Sequence, residues 1–397
     1  MAKLILPRGF TVSGVHCGLK KSDKDLGLIF SDTPCATAGV FTNNNVKAAP
    51  ILVTKEILGK GGKTRAIVVN SGNANCCTGK YCTSDAKEMV KSTALGLGIK
   101  YDSVLVASTG VIGKKLPIEK IKTGIPHLVK NLSSKGLMSL VQAIMTTDTK
   151  KKVRTAKFVM NGKGVIITGL CKGAGMIHPN MATMLCFIMT DAAMDGDALK
   201  AVLKESVNKS FNVITVDGDM STNDCVLVLA NGKAGGPVVK KNSKDYKIFK
   251  QHFDSICLEL AKDIVRDGEG ATKFIEIEVA GAKTGADAEK IARIIANSPL
   301  VKTSIHGQDP NWGRIASSVG SSMLDDITPD KMEIYLDNVG IFKKGKFADP
   351  PAEKLSRIYK KDSVYIFVNL NLGKKSAKMY TCDLSKRYVD INAHYLT

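Results

Sequence analysis

The chain has 397 residues, 44% hydrophobic and 24% charged, the proportions of a folded globular protein rather than a disordered, collagen-like or disulfide-stapled one. Lys and Arg number 57 against 37 Asp and Glu, a formal net charge of +20, which points first to nucleic acid. However, 49 of the cations are Lys and only 8 are Arg, they are spread along the chain, and aromatics total 6%; that balance describes a solvated Lys-rich surface and weighs against nucleic acid as a partner.

Read from the N-terminus, Leu4–Leu6 is an apolar stretch cut by Pro7, too short for a signal peptide. No run of about 18 apolar residues offers a membrane span, so the expected compartment is the cytoplasm, with no membrane partner. Ala66–Asn70 and Val104–Ala107 read as short strands. Ser84–Gly98 and Pro117–Leu132 read as helices. Asn161–Gly162 is a two-residue turn signal that predicts a hairpin over Phe158–Thr168. The continuous apolar run Met184–Met189 predicts a buried strand, Asp197–Asn212 a helix and Val226–Ala230 a strand. Apolar residues from Ile248 to Ile264 recur mostly every three or four positions, which predicts a helix over Tyr246–Arg266 stopping at Asp267–Gly268. Strand Phe274–Val279 and helix Ala286–Ala296 follow. Glu333–Leu336, Val364–Leu370 and Lys378–Asp383 then give a strand-rich end. Gly281–Gly285 is a plausible joint, dividing a core of residues 1–280 from a C-terminal α+β domain of residues 281–397. Strand and helix do not alternate as in a doubly wound parallel sheet, so the class is α+β.

Several motifs fall away on inspection. Gly59–Thr64 (GKGGKT) lacks the glycine a phosphate loop needs, because Ile57 stands there. Gly173–Ala174–Gly175 lacks the third glycine of a dinucleotide fingerprint, replaced by His178. The ten cysteines include no C-x-x-C and no zinc spacing with histidine, so free thiols and no metal are expected. No G-x-S-x-G elbow occurs.

Lys172–Asp191 (KGAGMIHPNMATMLCFIMTD) is the informative segment. Gly173, Gly175, Pro179 and Asn180 make a turn, Ala182 is small, and Thr183 heads the apolar strand. A hydroxyl so placed can attack the preceding Ala182 carbonyl, and hydrolysis of the resulting ester leaves Thr183 as a new N-terminus. Its freed amine, with a pKa of about 7.7–8.0, can serve as base for its own hydroxyl. A threonine that simply starts a strand fits the same local pattern.

This segment closely resembles the self-cleavage motif of the bifunctional ornithine acetyltransferase / N-acetylglutamate synthase family of arginine biosynthesis. So do Ala38–Ala48, Asn70–Asn75 (NSGNAN), Ala107–Gly113 (ASTGVIG), Ala143–Thr149 (AIMTTDT), Phe211–Asp224, Asp267–Lys273 (DGEGATK), Asp309–Ile315 (DPNWGRI) and Asp390–Thr397, in order along the chain. The resemblance implies a four-layer α/β/β/α sandwich with a smaller C-terminal α+β domain that completes the active site. It implies a cut between Ala182 and Thr183, with Thr183 as nucleophile and Thr109 and Gly110 as the oxyanion hole. Substrate contacts carry over to Thr146, Lys172, Thr183, Glu269, Asn392 and Thr397. The implied reaction moves acetyl from N-acetylornithine to glutamate by a ping-pong route without a cofactor. Some members also use acetyl-CoA as a substrate. The implied assembly is α2β2. A self-cleaving aminopeptidase or amidohydrolase of the same fold is the alternative.

Overall fold

A computed structural model of the protein describes residues 4–61, 63–178 and 184–394. It divides into two compact units. Among the described residues, unit 1 takes the chain up to Asn212 and returns for Asp219–Ile264; unit 2 takes Val213–Gly218 and 265–394.

Unit 1 contains β1 (Phe10–Val15), β2 (Leu26–Phe41), α1 (Ala49–Gly59), β3 (Thr64–Asn73), α2 (Tyr81–Leu97), β4 (Val104–Val111), α3 (Ile118–Lys130), α4 (Leu137–Ile144), β5 (Lys152–Met160), β6 (Lys163–Lys172), β7 (Leu185–Thr190), α5 (Gly196–Asn208), β8 (Cys225–Ala230) and α6 (Lys244–Arg266). The strands run β4-β3-β2-β8-β7-β6-β5, with β1 also on β2. The sixteen-residue β2 serves two sheet halves: Leu26–Phe30 pairs β1 and β3, and Ala36–Phe41 pairs β8. Its register slips between Phe30 and Cys35, around Pro34, because proline cannot donate to a ladder. One core cluster joins side chains of both halves, including Leu28 and Val68 from the first and Leu170, Phe187 and Leu227 from the second.

Helices cover these sheets through specific contacts. β4 is an edge strand, and Thr54 of α1 meets its outer side: the hydroxyl donates to Val106 O at 2.6 Å and accepts from Val106 N–H at 3.0 Å. An edge covered in this way offers no free ladder to another chain. Ser13 of β1 donates to Leu128 O of α3 at 2.6 Å. Phe158 of β5 stacks on His252 of α6 at 4.1 Å and meets Phe249 edge-on at 6.5 Å, while α5 packs on β2. Helix, sheet, sheet and helix are therefore layered as the α+β sandwich expected from sequence. The hairpin is present as β5–β6, with Asn161 and Gly162 both at positive φ. All ten cysteines are unbridged.

Unit 2 contains β9 (Phe274–Ala282), α7 (Gly285–Asn297), α8 (Pro299–His306), α9 (Trp312–Gly320), β10 (Glu333–Leu336), β11 (Val339–Lys343), β12 (Lys346–Phe347), α10 (Ala352–Tyr359), β13 (Ser363–Asn369), β14 (Lys375–Cys382) and α11 (Lys386–Ala393). Its six strands run β12-β11-β10-β13-β9-β14. Alternate residues of β9 are buried, and Ile275, Ile277 and Val279 share a core with Ile291 and Ile295 of α7. A capping box between Thr284 and Asp287 starts α7, satisfying two helix-end donors. Gly281–Gly285 is thus the turn from β9 into α7, inside unit 2. The segment Val213–Gly218 belongs here because Thr215 N–H donates to Tyr380 O and its hydroxyl to Asn297 Oδ1. Among the described residues no helix is long and apolar enough to cross a membrane.

Candidate active site

Five strand ends of unit 1 converge on one polar cluster. β3 and β4 run parallel, pairing Asn70 with Ser108, Ser71 with Thr109 and Gly72 with Gly110. β6 ends at Lys172, which pairs with Leu185 at the start of β7. β7 and β8 run parallel from Leu185 and Cys225.

Thr109 and Lys172 are both buried, and the Lys172 ammonium donates to Thr109 Oγ1 at 3.4 Å. Because that oxygen accepts from a cation, the hydroxyl hydrogen of Thr109 is left to donate elsewhere. Gly110 has φ +132°, and a Cβ there would lie 2.4 Å from Asn73 N and Gly72 C. Only glycine lets the β3 and β4 backbones approach so closely at this φ. Gly110→Ala is therefore expected to lose about 2–4 kcal/mol of stability, read as a fall in unfolding midpoint; an unchanged midpoint would show that the strand ends tolerate a side chain.

The motif stretches interlock through side-chain amides. Asn223 Nδ2 donates to Ala74 O at 2.7 Å and Ser108 O at 2.8 Å. Ser108 donates to Asn70 Oδ1 at 2.6 Å, and Asn70 Nδ2 to Asn73 O at 2.9 Å. All these groups are buried, where a satisfied network specifies one geometry.

Asp224 is the neighbour of the proposed cut. Met184, the residue after Thr183, donates its N–H to Asp224 Oδ1 at 2.9 Å, and Met184 O accepts from Cys225 N–H. Asp224 is 1% exposed and its Oδ2 is buried with no hydrogen-bond partner among the described residues. Burial pushes its carboxyl well above the usual carboxylate range, more than the Met184 N–H and the Lys172 charge pull it down. A carboxamide offers Met184 the same acceptor oxygen as this carboxyl. Asp224→Asn is thus expected to stay close to the parent, whereas Asp224→Ala loses about 1–3 kcal/mol in urea unfolding; equal losses would show that the negative charge matters instead.

The loop before β5 is tied to the same place. Asp148 accepts from Thr146 N–H at 3.0 Å, Gly173 N–H at 2.7 Å and Lys152 Nζ at 2.7 Å. The Asp148 and Lys152 side chains are 0% and 1% exposed. Burial alone would raise the Asp148 carboxyl, but Lys152, Lys172 and the Gly173 N–H outweigh it and draw it down to about 2. Lys20 adds a further cation, reaching Met145 O at 2.5 Å. Burial, aided by Lys172, pulls its ammonium pKa down, more than Asp25, Asp23 and Asp148 push it up.

In unit 2, Glu269 is 9% exposed and Asn392 donates to its Oε2 at 2.9 Å. α11 is held to this loop by Ser385, which donates to Gly270 O at 2.6 Å. Asn392, at a chain end where fraying is common, is therefore anchored.

Of the expected site residues, Thr109, Gly110, Lys172 and Thr146 gather in unit 1, and Glu269 and Asn392 pair in unit 2. Ala182, Thr183 and Thr397 lie outside the described residues. Sequence reading assigned no role to Asp148, Asn223, Asp224, Lys152 or Lys20. Asp148 and the Asn223–Asp224 pair were within quoted motifs, and a carboxylate beside an apolar strand was the available signal. Among the described residues no group of three or more His, Cys, Asp or Glu is arranged to hold a metal ion.

Comparison with known proteins gives a consistent result. Residues 11–397 match the model of the ArgJ family. The chain is 46% identical over 399 residues to the arginine biosynthesis bifunctional protein ArgJ of Thermotoga neapolitana, covering 99% of this chain and 100% of that protein. It is 48% identical to the protein of the same name from Geobacter sulfurreducens, covering 98% and 99%. The crystal structure of arginine biosynthesis bifunctional protein argJ from Bacillus halodurans is similar at a TM-score of 0.51 and 40% identity, covering 53% of this chain and 98% of that one.

Proposed function

The chain belongs to the ArgJ family, and on that premise we propose that it is an acyltransferase moving acetyl from N-acetylornithine to glutamate through an acetyl ester on Thr183. The observation that carries the reading is the convergence of Thr109, Gly110, Lys172 and Asp224 on Met184 and the start of β7, the first residues after Thr183.

The precursor cuts itself between Ala182 and Thr183. A piece starting at Thr183 is 215 residues long, and the matched chain of the Bacillus halodurans structure, whose likeness spans 53% of this chain, is of that size. In the mature enzyme the Thr183 amine takes the hydroxyl proton as Oγ bonds to the acetyl carbon. The negative charge forming on the carbonyl oxygen meets the Thr109 hydroxyl and the Gly110 N–H, donors held in place by β3 and β4. One such donor is worth about 2.7–4 kcal/mol in the transition state. The amide C–N bond then breaks and the ornithine nitrogen takes the proton. Glutamate reverses the sequence: its amine attacks the ester, the C–O bond breaks and the proton returns to Thr183. Lys172 pairs with the substrate carboxylate, Thr146 contacts the substrate beside it, and Glu269 accepts from a substrate ammonium, with Asn392 and Thr397 as further contacts.

The word bifunctional in the relatives' name supports acetyl-CoA as a second donor to the same threonine. The cleaved pieces assemble as α2β2. The test is a two-substrate assay of N-acetylglutamate formation. Parallel double-reciprocal lines are expected; release of acetate without an amine acceptor would favour a hydrolase.

A further inference from the structure

Unit 2 holds an open cavity of about 490 Å³ between the end of α7, the start of α8 and one side of α9. We propose that it is a binding site for a small phosphate-bearing molecule, seated between Arg293 and Arg314.

The lining carries the argument. The chain has 49 Lys and 8 Arg, yet the cavity wall includes two arginines and no lysine. It also includes no Asp or Glu. Arginine differs from lysine in offering a planar fork of donors that fits phosphate oxygens in pairs. A solvated surface would follow the composition; this wall inverts it.

The polar groups also point one way. Arg293 gives Nη2 to Glu289 Oε1 at 2.5 Å. Arg293 lines the cavity wall, and the Glu289 contact holds its guanidinium there. Arg314 is oriented by Nη1 bonds to Leu300 O at 2.9 Å and Thr303 Oγ1 at 3.4 Å. Asn297 Oδ1 accepts from Thr215, which fixes the amide so that its NH2 hydrogens remain for a ligand. Ser298 caps α8, its oxygen accepting from Val301 N–H, so its own hydrogen is left to donate. Two cations and two neutral donors, held on three helices, match an anion with oxygens in several directions rather than a flat carboxylate.

The volume exceeds that of inorganic phosphate and falls in the range of small-molecule sites, so the phosphate is one group of a larger ligand, with Ile294 and Leu300 lining the remainder. This inference is independent of the acetyl-transfer reading.

The experiment titrates the full-length protein with inorganic phosphate and pyrophosphate by calorimetry at fixed ionic strength, with acetate as the carboxylate probe. Saturable, one-to-one binding is expected, weakened at least tenfold by Arg293→Gln and by Ser298→Ala plus Arg314→Gln, with circular dichroism unchanged in the first variant. Lys354→Ala, on another part of the surface, should leave binding unaltered. Binding that persists in Arg293→Gln, or falls equally in Lys354→Ala, would mark general attraction to a basic surface and overturn the proposal. Acetate binding as tightly as phosphate would overturn the ligand class, and no binding would overturn the site.

Discussion

Thr183→Ala is expected to leave a single chain of 42.5 kDa on a denaturing gel and to lower acetyl transfer by about a thousandfold or more, as expected when a nucleophile is removed from a group that acts as a unit. Both effects have one cause: the same hydroxyl cuts the chain and carries the acetyl group. Thr183→Ser keeps the hydroxyl, so it should still give two pieces and measurable transfer. Thr109, Gly110 and Lys172 are untouched by either change, so the fold and its unfolding midpoint should stay close to the parent. If Thr183→Ala were cut and active, the nucleophile would lie elsewhere.

Asp148→Asn is expected to have the largest effect on stability, about 3–5 kcal/mol, because it breaks a buried ion pair with the Lys152 ammonium. It also weakens the acceptor that ties Thr146 and Gly173 together, so transfer should fall with stability. The double variant Asp148→Asn with Lys152→Met removes both charges of the pair and should recover much of the loss, as a double-mutant cycle in urea would show. The acid limb follows from the same group. Its folded pKa of about 2 lies below the unfolded value of about 3.9, so its contribution is present above about pH 4 and is lost as pH falls through about 2. Asp148→Asn should flatten that part of the stability profile; an unchanged profile would mean that the pair contributes nothing net.

Some of this was legible in the sequence for physical reasons. The α6 pattern, the Asn161–Gly162 turn and the apolar runs of β7 and β8 are local signals, and each element is present. The length of β2 was not legible, because Ser31–Ala38 carries Pro34 and small polar residues without an apolar alternation, while its strand character comes from pairing with β8. The short α8, α9 and α10 were missed because eight or nine residues give too few turns for a period to stand out. At the site, Lys172, Thr109 and Gly110 came from resemblance, and the structure adds why they sit together: parallel pairing of β3 with β4 and of β7 with β8. Asp148 and Asp224 owe their importance to burial and to partners 25 and 40 residues away, which no local pattern reveals. The +20 charge, the loudest compositional feature, proved least informative. The charges that matter are the few that are buried: Lys172 and Lys152 with Asp148.

The most direct measurement of the central claim is mass spectrometry of the purified enzyme after N-acetylornithine is added without glutamate and the reaction is quenched in acid. Two pieces are expected, the second beginning at Thr183, with one added acetyl group mapped to the Thr183 side chain and lost again when glutamate is supplied. An intact, unacetylated chain that still transfers acetyl, or an acetyl group mapped to any other residue, would contradict it.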